Sequence, residues 1–154
     1  MTPTIRFTWL PGSDGSLPLP SYETSGAAGA DLRANFPEDQ RAGVTLRPLS
    51  RRLIPTGMAV EIPRGFEMQI RPRSGLALKQ GLTLVNTPGT VDSDYRGALG
   101  VILINLGEED VHIAHGDRIA QAVVSPVVQA RYQLVESLSD TDRGSGGFGS
   151  TGRH

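Results

Sequence analysis

The chain has 154 residues, long enough for one domain with a real hydrophobic core and too short to expect two. A net charge of −1 with 38% hydrophobic residues fits a globular protein and speaks against a nucleic-acid footprint spread over the surface. The lack of cysteine removes disulfide scaffolds, thiolate nucleophiles and Cys-ligated zinc together.

The elements follow in chain order. Residues 5–9, Ile-Arg-Phe-Thr-Trp, alternate apolar and polar with period two and predict a strand. A loop rich in Pro, Gly and Ser runs from 10 to 21. Further strands are expected at 44–46, 52–54, 58–62, 67–70, 82–86, 100–105, 111–113, 119–128 and 133–135. Glycine (19) and proline (11) recur at short intervals, as turns do between strands. The one helical signal begins at Ser74, a possible N-cap, and stops at Gly81. Many short strands separated by turns mean a sandwich, barrel or jelly roll. From Asp140 the composition changes, and residues 142–154 hold one apolar side chain among glycines and hydroxyls. Such a segment buries too little surface to offset its ordering entropy, so it reads either as a frayed tail or as an arm that grips a nucleotide.

No stretch approaches the ~18 apolar residues needed to span a bilayer. Met1-Thr2-Pro3-Thr4 carries no basic region ahead of an apolar run. A cytoplasmic protein with no membrane and no nucleic-acid partner is the expectation. Lys79 is the only lysine, and the arginines that supply the remaining positive charge suit bidentate phosphate contacts, though a compositional bias explains them as well.

Four segments carry candidate chemistry. In Arg71-Pro72-Arg73-Ser74-Gly75-Leu76 two arginines precede a helix N-terminus, where unpaired N–H groups favour an anion. Ser74 either caps that helix or donates its hydroxyl to a phosphate oxygen. In residues 86–97 a strand enters a Pro-Gly turn, and Asp92 and Tyr95 follow three apart. An ionised Asp92 can take a proton from water, or it can simply order a turn; Asp94 reads as an exposed turn carboxylate. In Ala28-Gly29-Ala30-Asp31-Leu32 a lone aspartate follows small residues, and a loop-ordering hydrogen bond is its plain role. Gly116-Asp117-Arg118-Ile119-Ala120-Gln121 reads as a turn into a strand, with Arg118 expected to pair locally. His112 and His115 fall on opposite strand faces with no third ligand near in sequence, which argues against zinc.

Each signal alone is weak. In order, the segments 28–32, 71–77, 86–97, 116–121 and 143–152 resemble the five motifs of the trimeric dUTPase family, and the likeness runs from about Leu17 to His154. That resemblance implies an all-β, jelly-roll-like subunit with one short helix, assembled as a homotrimer with active sites at subunit interfaces. Residues 1–139 would form the β domain and 140–154 an arm closing over a neighbouring subunit's site. It implies hydrolysis of dUTP to dUMP and pyrophosphate, which would remove dUTP from the pool open to DNA polymerases and supply dUMP for thymidylate synthesis. Asp92 would activate the water that attacks the α-phosphorus, and Tyr95 would pack on the deoxyribose and reject UTP. Asn86 and main-chain groups around Thr90, Val91 and Gly100 would read uracil. Arg73, Ser74 and Gly75, with Gln121 nearby, would bind the phosphates. From the arm, Arg143, Gly149, Ser150 and Thr151 would reach the substrate and Phe148 would stack on the base. Mg²⁺ would be held mainly by the triphosphate, with Asp31 acting through a coordinated water.

Two departures stand out against the family pattern. Ala98 replaces a longer polar side chain, which puts one local contact in doubt. The loop 10–16 is longer than expected and has no assigned role. The rival dCTP deaminases resemble this pattern up to the aspartate, but need a glutamate where this chain has Ile102, and tend to carry Phe in place of Tyr95. A non-catalytic nucleotide-binding relative would have lost Asp92 or the arm's Arg143 and Phe148, and all three are present.

Overall fold

The computed structural model describes residues 2–147. The strands are β1 (Arg6–Trp9), β2 (Ala30–Arg33), β3 (Val44–Leu46), β4 (Arg51–Glu61), β5 (Phe66–Arg71), β6 (Leu82–Leu84), β7 (Gly89–Val91), β8 (Ala98–Asn105), β9 (Val111–Ile113) and β10 (Arg118–Pro126). A 3₁₀ turn covers Glu38–Gln40, and the one α-helix among the described residues, α1, covers Ser74–Gln80. Two four-stranded sheets, in the orders β1-β4-β8-β6 and β2-β10-β5-β7, are accompanied by a separate two-stranded β3-β9 pair. Every pairing is antiparallel. This is an all-β architecture, as the spacing of strands and turns predicted, in the jelly-roll-like form that the resemblance implied.

Alternation places the core. Along β8 the residues Leu99, Val101, Leu103 and Asn105 point inward, and the residues between them stay partly exposed. Leu32, Ile54, Ile62, Met68, Leu82 and Ile119 meet them from both sheets. Among the described residues three polar side chains are also buried, and all are satisfied. Thr56 donates to Leu99 O at 2.6 Å. Asn105 donates to Leu46 O and Glu109 O. Asn35 holds both main-chain groups of Asp14. A buried donor or acceptor without a partner costs about 1–3 kcal/mol, so these side chains fix where the incoming loops sit.

Several expectations change. Residues 52–54 and 58–62 form one strand, β4, whose pairing with β8 is interrupted by a bulge between Pro55 and Met58. β2 and β7 are strands that the sequence did not reveal, since β2 begins at the end of the small-residue run 28–30 and β7 opens at Gly89 within a Pro-Gly turn. The strand expected at 82–86 ends at Leu84, and β10 ends at Pro126. Residues 133–135 form no strand and lie exposed, because none of the strands among the described residues pairs with them. Ser74 is the first helical residue rather than the cap. Arg73 takes the N-cap position with extended backbone and no side-chain capping bond. Gly81 does stop the helix, in a left-handed conformation with its N–H bonded back to the last turn.

The loop 10–16 gains a structural role. Asp14 accepts from the Ser16 hydroxyl at 2.6 Å, from the Ser16 N–H at 2.9 Å and from the His115 ring at 3.1 Å. His115 Nδ1 accepts from the Phe36 N–H, so the ring proton sits on Nε2 and points at Asp14. These hydrogen bonds, the Ser16 hydroxyl foremost, hold the Asp14 carboxyl well below the usual carboxylate range. His112, by contrast, faces out of β9 toward Thr45. No helix among the described residues is long and apolar enough to cross a membrane.

Candidate active site

Sheet order explains how distant segments meet. β10 lies between β2 and β5, and Gln121 on β10 sits opposite Asp31 on one side and Arg71 on the other. Residues 28–32, 71–77 and 116–121 therefore become neighbours on one sheet. They line a cleft of about 640 Å³ with Glu23, Gly29, Asp31, Arg73, Ser74, Gly75 and Gln121 on its walls.

Within that cleft Asp31 bridges two arginines. Its Oδ1 lies 3.2 Å from Arg73 Nε, and its Oδ2 accepts from Arg118 Nη1 at 3.1 Å. Arg73 Nη1 also donates to the Arg118 carbonyl at 3.2 Å. Glu23 adds a looser contact to Arg118 at 3.7 Å. The expectation that Arg118 pairs locally is therefore corrected: its carboxylate partner stands 87 residues away, and the local turn bond is made instead by Asp117, which accepts from the Ala114 N–H. Asp31 also does more than order a loop, since it orients a guanidinium at the mouth of the cleft. Gln121 Nε2 donates to Pro72 O at 2.9 Å and so fixes the main chain just ahead of α1. This bond needs Gly29. A Cβ there would lie 3.0 Å from both Cβ and Cδ of Gln121 and would collide with its Oε1. Gly29 and Arg118 escaped the sequence reading of function; only the small-residue run before Asp31 and the charged pair Asp117-Arg118 pointed toward them.

A second cleft, of about 180 Å³, opens where the chain passes from one sheet to the other. β6 belongs to the first sheet, β7 pairs with β5 at the edge of the second, and β8 returns to the first. Asn86, Thr90, Val91, Asp92, Tyr95 and Gly100 line it together, with Ile102 among the apolar walls. Val91 is buried, so it offers its main chain rather than its side chain. Asp92 and Tyr95 are exposed at the rim. The Tyr95 N–H donates to Asp92 O at 3.1 Å, and the Tyr95 hydroxyl donates to Ala98 O at 2.9 Å. The short side chain at Ala98 leaves this contact untouched, because a main-chain carbonyl makes it.

The two clefts share no lining residue, and neither brings Asp92 and Arg73 together. Arg143 lines neither; its Nε donates to Gly146 O at 2.8 Å within its own turn. Phe148, Gly149, Ser150 and Thr151 lie outside the described residues. Among the described residues no group of three or more His, Asp or Glu side chains could hold a metal ion.

Comparisons with known proteins agree with this arrangement. A family model described as dUTPase matches residues 16–152. The chain is 64% identical over 149 residues to the deoxyuridine 5'-triphosphate nucleotidohydrolase of Roseobacter denitrificans, covering 97% of this chain and 96% of that protein. It is 65% identical over 154 residues to the protein of the same name from Dinoroseobacter shibae, covering 99% and 97%. The fold is similar to that of the Staphylococcus bacteriophage 80alpha dUTPase solved with dUPNHPP, at a TM-score of 0.80 and 27% identity over 97% of this chain and 98% of that one. With sequence, motif order and fold in agreement, the chain belongs to the dUTPase family.

Proposed function

We propose that the chain hydrolyses dUTP to dUMP and pyrophosphate, by attack of water on the α-phosphorus. The observation that carries this reading is the gathering of Asn86, Thr90, Asp92, Tyr95 and Gly100 around one small cleft at the sheet edge. Family membership and the nucleotide-analogue complex of the phage enzyme support it.

In this reading Asp92 takes one proton from the attacking water, whose oxygen bonds to the α-phosphorus. The bond from that phosphorus to the bridging oxygen breaks, and pyrophosphate leaves with the electron pair. Asn86 and the main chain of Thr90, Val91 and Gly100 pair with uracil. A polar site of this kind rejects cytosine because its own groups would be left unpaired. Tyr95 fills the space that a 2′-hydroxyl would need. Arg73, Ser74 and Gly75 meet the phosphates beside the uncapped start of α1, where free N–H groups suit anionic oxygens.

Mg²⁺ fits as an ion that arrives on the triphosphate. Asp31 has both oxygens engaged by arginines and so suits contact through a coordinated water rather than direct ligation. When bound, the ion supplies charge neutralisation on the phosphate oxygens. Because the clefts are separate in one subunit, the reading places complete sites between subunits of a homotrimer, with residues 140–154 closing over a neighbour. The activity would draw down dUTP available to DNA polymerases and yield dUMP for thymidylate synthesis.

The test is pyrophosphate release with Mg²⁺ from dUTP, UTP, dTTP and dCTP at equal concentration. Release selective for dUTP is expected. Binding of dUTP without release from any of the four would instead mean a nucleotide-binding relative with Asp92 as a turn residue.

A further inference from the structure

The ring of Tyr95 is held from within its own turn. Besides its hydroxyl bond to Ala98 O, Arg96 Nη1 donates to the carbonyls of Ser93 at 2.8 Å and Tyr95 at 2.9 Å. Tyr95 remains 44% exposed, so the direction of the ring depends on these local contacts and on the space they leave. That space is at Gly97. A Cβ built there would lie 2.6 Å from Tyr95 Cζ and 2.9 Å from Cε2, and would collide with the hydroxyl oxygen. Carbon atoms in contact normally stand about 3.5–4.0 Å apart. All three crowded atoms belong to the far end of the tyrosine and none to backbone. An added methyl would therefore be relieved by the ring turning away, with the turn itself intact.

We propose that Gly97 is a positioning residue that sets sugar specificity: by carrying no side chain, it lets Tyr95 fold back onto Ala98 and stay where the sugar meets it. The inference rests on the reading of Tyr95 as the group that excludes a 2′-hydroxyl, and it extends that role to a residue that does not line the cleft. A methyl at position 97 displaces the ring, breaks its bond to Ala98 and opens room for ribose.

The experiment compares kcat/KM for dUTP and UTP in the wild type, G97A, Y95A and G97A/Y95A, with the thermal midpoint of each protein. G97A should lower the dUTP-to-UTP ratio by roughly tenfold or more, toward that of Y95A, with little change in midpoint. G97A/Y95A should match Y95A, because the methyl then has no ring to displace. An unchanged ratio in G97A beside a lowered one in Y95A would overturn the role of Gly97 and leave that of Tyr95 standing. An unchanged ratio in Y95A would overturn both. If G97A fails to fold but G97A/Y95A folds, the conflict with the ring is established. If both fail alike, the glycine serves the backbone and the inference is wrong.

Discussion

The two clefts are built on opposite principles. The hairpin cleft is local: Tyr95 reaches Ala98 three residues away, and Arg96 reaches Ser93 and Tyr95. The arginine cleft is assembled from afar: Arg118 meets Asp31 across 87 residues, Gln121 meets Pro72 across 49 and Arg73 meets Arg118 across 45. A local device keeps its geometry as long as one turn holds. A remote one depends on the register of three strands, so changes there should affect stability as well as binding. Under the proposed function the chemistry would follow the same division, with Asp92 as proton acceptor on the turn and the phosphate-binding arginine, Arg73, at the start of α1.

The sharpest way to break this contrast is Asp92→Asn. Asp92 sits exposed at the rim, so the exchange should leave the thermal midpoint and dUTP binding nearly unchanged while kcat falls by roughly 10²–10⁴-fold. A variant with near-full pyrophosphate release would remove Asp92 from the role of base. Removal of residues 142–154 should come next, with turnover down by about two orders of magnitude or more and assembly unaltered, if the segment closes the site. Full activity after truncation would make it a frayed tail.

The division between clefts can also be tested by mixing. Neither Asp92→Asn nor Arg73→Ala should be active alone, but co-expressed they should regain activity in about a quarter of sites if the two clefts join across a subunit boundary. No recovery in mixed oligomers would place the whole site within one chain. Smaller again is Gly29→Ala, which should push Gln121 off Pro72, raise KM for dUTP and cost about 1–3 kcal/mol of stability through overpacking. A raised KM without any fall in midpoint would show the remote cleft to be more tolerant than its long-range bonds imply.

The smallest effect lies away from both clefts. Asp14 has its folded-state pKa depressed, so its contribution to stability is present above the ordinary carboxylate range and is lost as pH falls through that range toward the folded value. Thermal midpoints followed from neutral pH down to about pH 3 should fall less steeply in Asp14→Asn than in the wild type. Identical slopes would mean that the loop bonds to Ser16 and His115 do not persist in solution.

Legibility in the sequence followed the same local–remote line. The strands at 44–46 and 111–113, the helix stop at Gly81 and the gathering of residues 86–100 all depend on patterns a few residues long, and the chain writes them openly. β2 and β7 stayed hidden because their residues read as something else, β2 beginning at the end of the small-residue run 28–30 and β7 opening at Gly89 within a Pro-Gly turn; their neighbours in the sheet make them strands. The strand expected at 133–135 failed for the converse reason, since β propensity without a pairing edge gives no ladder.

By itself, then, the sequence pointed to an all-β fold, to the order of the motifs, and to Asn86, Asp92 and Tyr95, which line the hairpin cleft, and Asp31, Arg73 and Ser74, which line the other. It did so because turn chemistry, alternation and residue type are properties of short segments. Only the tertiary structure decided that Arg118 pairs with Asp31, that Gln121 holds Pro72 over Gly29, and that Asp92 and Arg73 stand in different clefts of the chain. Those facts come from placing β10 between β2 and β5, a choice made by long-range burial and register that no local window of residues contains.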